Sequence, residues 1–250
     1  QFLASTVIPA LLHILAMVIG ATTIGRELRD KQIGRWYDFI ESGHPDLTSI
    51  EANTKNDIEN HKTIAASTSA ADNKTSVIDS KPRKASISVL LFGLLGKYFW
   101  PTLAYSLWSI LALWLATPQQ AVAISSIMAT YVGLVLLMML SFWLGAIFTL
   151  TSFSLRMGLS STGFISAPSY AFAGVTFPYI AISDSAKHWS DALPLTHYLK
   201  LHIAQLQMQA PVAISLPIVF GLTLATVIAM FLAALLSKRA LAHPERWGAR

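Results

Sequence analysis

Five long apolar runs set the rhythm of this chain, at about 2–24, 98–116, 122–150, 164–182 and 211–236. A helix needs about 20 apolar residues to cross a hydrocarbon core of roughly 30 Å. The third run is long enough to tilt or to extend past the bilayer, and "TPQQ" at 117–120 reads as the turn that precedes it. The pattern predicts an all-α, polytopic helical membrane protein, with about five transmembrane helices forming one transmembrane domain over 1–250.

Three stretches interrupt the rhythm. In "GRELRDKQIGRWYDFI" at 25–40, Arg26 and Asp30 stand four apart, as do Glu27 and Lys31. Such pairs support a helix. Leu28, Trp36 and Ile40 can share a face with Ile33 near it, which predicts a short amphipathic helix at the membrane surface. Both a plain juxtamembrane anchor and a docking helix for a soluble partner satisfy that pattern. The stretch 41–90 is polar, rich in Ser, Thr, Asn, Ala and Lys, and aperiodic, so it is expected to be a flexible insert.

The third interruption comes after the fourth run. Gly174 and Pro178 break it, and Asp184, Lys187, His188, Asp191 and Pro194 come next. A helix from Phe164 that stopped near Pro178 would span only roughly 22 Å, and its freed backbone groups would need protein or water. After Pro194, the residues Leu195, Tyr198, Leu199, His202 and Leu206 recur at helical spacing, which suits a helix lying along the outer interface. The region 178–210 therefore reads as re-entrant or interfacial, and a continuous fourth span with an ordinary loop is the other reading.

Composition supports a bilayer as solvent. Only 12% of the residues are charged, 54% are hydrophobic and the mean hydropathy is +0.53, whereas soluble domains carry about 25% charged residues. No Asp, Glu, Lys or Arg occurs between Lys97 and Arg156. If the spans alternate, the basic residues of 26–97, Arg156, and Lys238, Arg239, Arg246 and Arg250 share one side, and the other side has only Lys187 and Lys200. The positive-inside rule then puts the first residues outside and both 26–97 and the last residues inside. The first residue is Gln and the apolar run begins at once, which leads to the expectation of a fragment or processed product that starts at or just inside a span. No basic segment or cleavage pattern makes that run a signal peptide.

Candidate chemistry is sparse. The chain has no cysteine, which removes disulfides, thiolate zinc sites and a cysteine nucleophile. His13 is an ionisable group inside the first span and so a candidate polar site, although a neutral histidine bonded to a neighbouring helix fits equally. His188, His197 and His202 are irregularly spaced for a metal, so no metal site is assigned. Gly93, Gly96 and Lys97 fall short of a nucleotide-binding loop. The net charge of +5 comes without a cluster of basic and exposed aromatic residues, so no nucleic acid is expected. Asn73-Lys74-Thr75 matches a glycosylation sequon but falls on the inner side. "GLSSTG" at 158–163 resembles the serine motif of intramembrane proteases, but Ser161 replaces the glycine after Ser160. An intramembrane hydrolase pairing Ser160 or Ser161 with His13, and a non-catalytic scaffold acting through 41–90, are the competing functional classes.

Three segments together resemble the C-terminal part of an ABC-2 type transporter permease, the membrane subunit of an ATP-driven exporter. They are "GRELRDKQIGRW" at 25–36, "LLGKYFWP" at 94–101, and "APSYAFAGVTFP" with "LPLTHYL" further on. The chain departs from the family in lacking a first span and the extracytoplasmic domain that often comes after it, in the run Lys31-Gln32-Ile33-Gly34, and in the long insert. The resemblance implies a bacterial inner-membrane protein that is not itself an enzyme and binds no cofactor. ATP and Mg would be held by separate cytoplasmic ABC ATPase subunits, and a second permease half would complete the path through the lipid bilayer. It further implies that Arg26, Glu27, Arg29, Asp30 and Lys31 couple to the ATPase. Gly174, Phe177, Pro178, Pro194, His197 and Tyr198 would shape an outer gate.

Overall fold

The structure, a computed structural model, describes residues 2–42, 85–117, 122–174 and 183–248. Its helices are α1 (Phe2–Arg29), α2 (Ile33–Ser42), α3 (Ile87–Ala116), α4 (Ile124–Ser152), α5 (Leu155–Phe172), α6 (Asp184–Ala192), α7 (Pro194–His202) and α8 (Val212–Ala242). A π-helical turn at Ile203–Gln207 extends α7, and a 3-10 turn at Pro244–Arg246 comes after α8. No strand occurs among the described residues. Helices satisfy every interior backbone group within one segment, which is what an apolar solvent demands. The chain is an all-α polytopic membrane protein, and α1, α3, α4 and α8 are each long and apolar enough to cross a bilayer.

The helices have other ends than the apolar runs. The 30 residues of α3 begin at Ile87 and not near 98, giving about 45 Å of helix, so one end projects well beyond a hydrocarbon core. Of the expected fourth span at 164–182, the part up to Phe172 belongs to α5, which starts nine residues earlier at Leu155 and is not among the four helices long and apolar enough to cross a bilayer. Its buried face carries only Gly158, Thr162, Ser166 and Ser169. These small and polar residues make α5 the least apolar of the long helices and fit it to pack against α1 and α4. Most of the expected insert at 41–90 lies outside the described residues.

Helix α4 is the centre of the bundle and packs against α1, α3, α5, α7 and α8. Its closest seam is with α1. A Cβ on Gly20 would collide with the Phe142 carbonyl, and one on Gly145 with the Met17 carbonyl and the Ala21 nitrogen, so the two backbones touch only because both residues are glycine. Small residues are the usual means of close helix packing in lipid, where apolar side chains gain nothing by leaving acyl chains for each other. Tyr98 of α3 closes the seam: its hydroxyl donates to the Gly20 carbonyl at 2.8 Å, and its ring packs on Phe142 and Trp143. Several interior hydroxyls are satisfied by their own helices, as where Thr130 donates to the Ser126 carbonyl and Thr149 to the Gly145 carbonyl, whereas those of Thr162, Ser166, Ser190, Thr196 and Ser237 are buried without a partner.

The outer helices show the opposite pattern. Trp100, Trp108 and Trp114 of α3 and Phe220 of α8 are all more than half exposed, on faces that acyl chains would solvate. At one end of the bundle the α4–α5 turn has Phe153 in the left-handed region, φ 55°, with its side chain fully buried. Arg246 stacks over that ring at 4.5 Å, Gly248 donates its N–H to the Phe153 carbonyl at 3.2 Å, and the Trp247 indole donates to the Ala240 carbonyl at 2.6 Å. The end of α8 is thus fastened onto the α4–α5 turn.

Candidate functional site

The sequence-predicted residues fall at the two ends of this bundle, with His13 between them. At the end where α1 and α4 finish and α3 begins, the single amphipathic helix expected over 25–40 is divided. Helix α1 runs on unbroken through Arg29, the chain turns at Lys31 with φ 55°, and α2 starts at Ile33. Neither expected charge pair is the one that forms. Glu27 receives a hydrogen bond from Lys97 of α3 at 2.5 Å, with both side chains less than a quarter exposed, while Asp30 accepts from its neighbour Arg29 at 2.8 Å. That contact holds the Asp30 carboxyl below its usual range. Glu27 stays within the helix and is taken by a partner 70 residues away in sequence.

Helix α2 is amphipathic as expected, and it is fixed to α3 on its inner face. Ile40 and Trp36 lie against Gly93, where an added Cβ would strike the Ile40 side chain. Lys97 sits over the Trp36 ring at 4.8 Å. Tyr37 is buried, accepts the Ser86 N–H at 3.0 Å and donates to Glu41 at 3.2 Å, and burial raises its phenol pKa. Arg26, Arg29, Asp30 and Lys31 remain exposed on the outside of this corner, whereas Glu27 faces inward.

At the opposite end, Gly174 lies just past the last turn of α5 with φ 79°, a conformation open to glycine at little cost. The break therefore falls at Gly174, ahead of Pro178. Phe177 and Pro178 lie outside the described residues. Pro194 occupies the first turn of α7, where its missing N–H costs nothing. His197 and Tyr198, adjacent in sequence, diverge. The His197 Nε2–H donates to the Asp191 carbonyl at 2.8 Å, and Lys200 donates to the Asp191 carboxylate at 3.2 Å, so both staple α7 to α6. Tyr198 is fully buried.

The apolar stripe expected on α7 is present. Leu195, Tyr198, Leu199, His202 and Leu206 are each at most 1% exposed. They are covered by protein, with Leu201 and Tyr198 against Gly133 of α4, so this stripe faces the bundle. Sequence reasoning missed the buried polar group at the end of α7. In the π-helical turn, Gln205 donates to Ser215 of α8 at 2.8 Å, and the Tyr198 hydroxyl meets His202 Nδ1 at 3.3 Å. His202 Nε2 and Gln205 Oε1 are buried without a hydrogen-bond partner. Burial lowers the His202 pKa to about 4 and raises that of the Tyr198 phenol, so both groups are neutral at pH 7.

His13 is buried between α1 and α4. Ser141 Oγ donates to the Leu137 carbonyl at 2.5 Å, so it accepts from His13 Nδ1–H at 2.6 Å. Ser141 heads the series Ser141, Gly145, Thr149 on α4, small residues four apart that face α1. That spacing was the available signal for the seam and its histidine. Ser160 and Ser161 instead border a separate shallow hollow with Phe148, Phe164 and Ile165. His188 is exposed, His197 is stapled and His202 is buried, and no group of three or more metal-ligating side chains converges among the described residues. No family model, no curated protein and no solved structure matches this chain.

Proposed function

We propose that this chain is the permease subunit of an ATP-driven ABC exporter of a bacterial inner membrane. It acts with a second permease half and with separate cytoplasmic ATPase subunits that hold ATP and Mg. Its first residues lie outside and its last residues inside. One observation carries the reading: the corner α1–α2 is rigidly joined to two spans. Arg26 and Arg29 ride on the same unbroken helix as the α1 span, α2 is held to α3 through Trp36 and Tyr37, and the Glu27–Lys97 pair ties α1 to α3. A push on the exposed face of that corner would move α1 and α3 together. Because α1 contacts α4 backbone to backbone at Gly20 and Gly145, that motion would reach the centre of the bundle. The end of α5 at Gly174 and α7 then form the closure at the far side.

The experiment is co-purification of the chain with ATPase subunits, and then an ATPase assay. Highly purified chain should hydrolyse no ATP, and an ATPase should co-purify in stoichiometric amount. Arg26→Glu reverses an exposed charge, so it should reduce ATPase recruitment several-fold while the thermal midpoint stays within a few degrees. ATP turnover by the isolated chain, or full recruitment by the variant, refutes the proposal.

A further inference from the structure

Four polar side chains are buried where the end of α7 and its π-helical turn meet the start of α8. They are Tyr198, His202, Gln205 and Ser215, each at most 1% exposed. Two hydrogen bonds join them in pairs. The Tyr198 hydroxyl lies 3.3 Å from His202 Nδ1, and the Gln205 amide donates to Ser215 Oγ at 2.8 Å. Between the two pairs the chain stops, because His202 Nε2 and Gln205 Oε1 are both buried without a hydrogen-bond partner.

The two unpaired atoms belong to one covered face. Leu201, His202, Gln205 and Leu206 are buried, whereas Lys200 and Gln207 on either side are exposed. His202 and Gln205 stand three apart on that face, a spacing that makes side chains neighbours, and the face packs against α4 and α8. A polar atom buried with no partner loses the water it held in the unfolded chain and gains nothing in return, so such atoms are uncommon in folded proteins. Two of them on adjacent side chains call for a partner that both can share.

The chemistry of the two atoms defines that partner. Gln205 Oε1 only accepts, so the partner must donate to it. His202 Nε2 donates when Tyr198 donates to Nδ1, and accepts when Nδ1 carries the proton, so the partner must be able to play either role. A metal ion does not fit this donor set. Among the described residues no three metal-ligating side chains converge, and one imidazole with one amide oxygen falls short of the coordination that zinc or calcium takes. The side chains are covered on all sides, so the partner must also be small. Water meets every one of these conditions, and internal waters commonly satisfy buried polar groups of this kind.

We infer that one internal water molecule bridges His202 Nε2 and Gln205 Oε1, completing a hydrogen-bonded chain from Tyr198 through His202, the water and Gln205 to Ser215. The chain crosses from α7 to α8 and pins the π-helical turn between them. It gives every polar group of this cluster a partner without introducing a charge. Tyr198, packed against Gly133 of α4, forms the inner end of the chain. This site is independent of the transport reading and would hold for any function of the protein.

The test is X-ray radiolytic labelling of the full chain in detergent, read by mass spectrometry. Radiolysis of a bound water oxidises the side chains around it, even where bulk solvent is shut out. Tyr98 is the comparison, since it is 3% exposed and Tyr198 is 0% exposed, so exposure alone predicts slower modification of Tyr198. The bridging water should reverse that order, with Tyr198 and His202 modified roughly ten-fold faster than Tyr98. Gln205→Leu removes one of the two groups that hold the water and should bring Tyr198 down to the rate of Tyr98. Tyr198 modified no faster than Tyr98 in the wild-type chain overturns the inference, and this comparison needs no variant to fold. Undiminished modification of Tyr198 in Gln205→Leu overturns it as well, since bulk solvent and not a held water would then be the source.

Discussion

Gly145 and Gly221 are both helical glycines in apolar spans, and their surroundings make opposite demands. At Gly145 an added methyl would run into backbone atoms of Met17 and Ala21, which cannot rotate away, so α1 and α4 must separate. That separation also strains the Tyr98 hydrogen bond to Gly20 and the His13 contact with Ser141. Gly145→Ala should lower stability by about 3 kcal/mol, at the upper end of ordinary overpacking. At Gly221 a methyl would meet nothing within 4 Å. Gly221→Ala should leave stability unchanged or raise it by up to about 1 kcal/mol through helix propensity. Thermal melts of the two variants in the same detergent check both signs, and a neutral Gly145→Ala would mean that the α1–α4 seam can open without loss. The composition of the chain shows neither fact, because a glycine's role depends on what faces it across the helix pair.

At the scale of elements, α7 with its π-helical turn gives a prediction in pH. The folded chain keeps His202 neutral, with its pKa lowered by burial from 6.5 to about 4. The groups facing it are Tyr198 on its own helix, with Gln205 and Ser215 beyond, and none of them is a carboxylate. Between about pH 4 and 6.5 the unfolded chain takes up a proton that the folded chain refuses. Stability therefore rises with pH across this window and is lost on acidification, with a full loss on the order of 3 kcal/mol. The thermal midpoint of the wild type should fall from pH 7.5 to pH 5, and His202→Gln should flatten part of that slope; parallel slopes would remove His202 as a cause. The stripe that buries this histidine was legible in the sequence because periodicity marks a covered face. Its neighbour was not legible, because periodicity is silent on whether lipid or α4 does the covering. The π-helical turn left no local signal. The corner at 25–40 shows the same limit: the spacing of Glu27 and Lys31 favoured one local helix, but Lys97 claimed Glu27 from another span. Likewise the apolar run at 98–116 marked a helix without its start, since α3 begins eleven residues before Tyr98.

For the whole molecule, the arrangement of spans has a consequence that the lack of cysteine makes easy to measure. The α1–α2 corner, the start of α3, the α4–α5 turn and the end of α8 meet at one end, with Arg26, Arg29, Lys31, Arg35, Arg156, Arg239 and Arg246 in or beside them. Helices α6 and α7 lie at the other end, where Lys187 and Lys200 are both held by acidic partners on α6. The positive-inside rule counts basic residues near the membrane, and the proposed orientation, with the first end cytoplasmic, follows from that count. Two exposed serines mark the two ends, Ser42 at the end of α2 and Ser185 in the first turn of α6. With no native cysteine to give background, each can be replaced singly. In intact cells, Ser185→Cys should react with a membrane-impermeant maleimide and Ser42→Cys should not; both should react once the membrane is opened. Ala167→Cys, on the outward face of α5 between the two ends, should stay unlabelled in either condition, because a thiol in hydrocarbon does not ionise to the reactive thiolate. The reverse pattern for the two serine positions would invert the orientation and with it the proposed meeting place with an ATPase. Labelling of both from outside would mean that the two ends are not separated by a bilayer. That last outcome would undo the span assignment itself, which rests on the length and apolarity of α1, α3, α4 and α8.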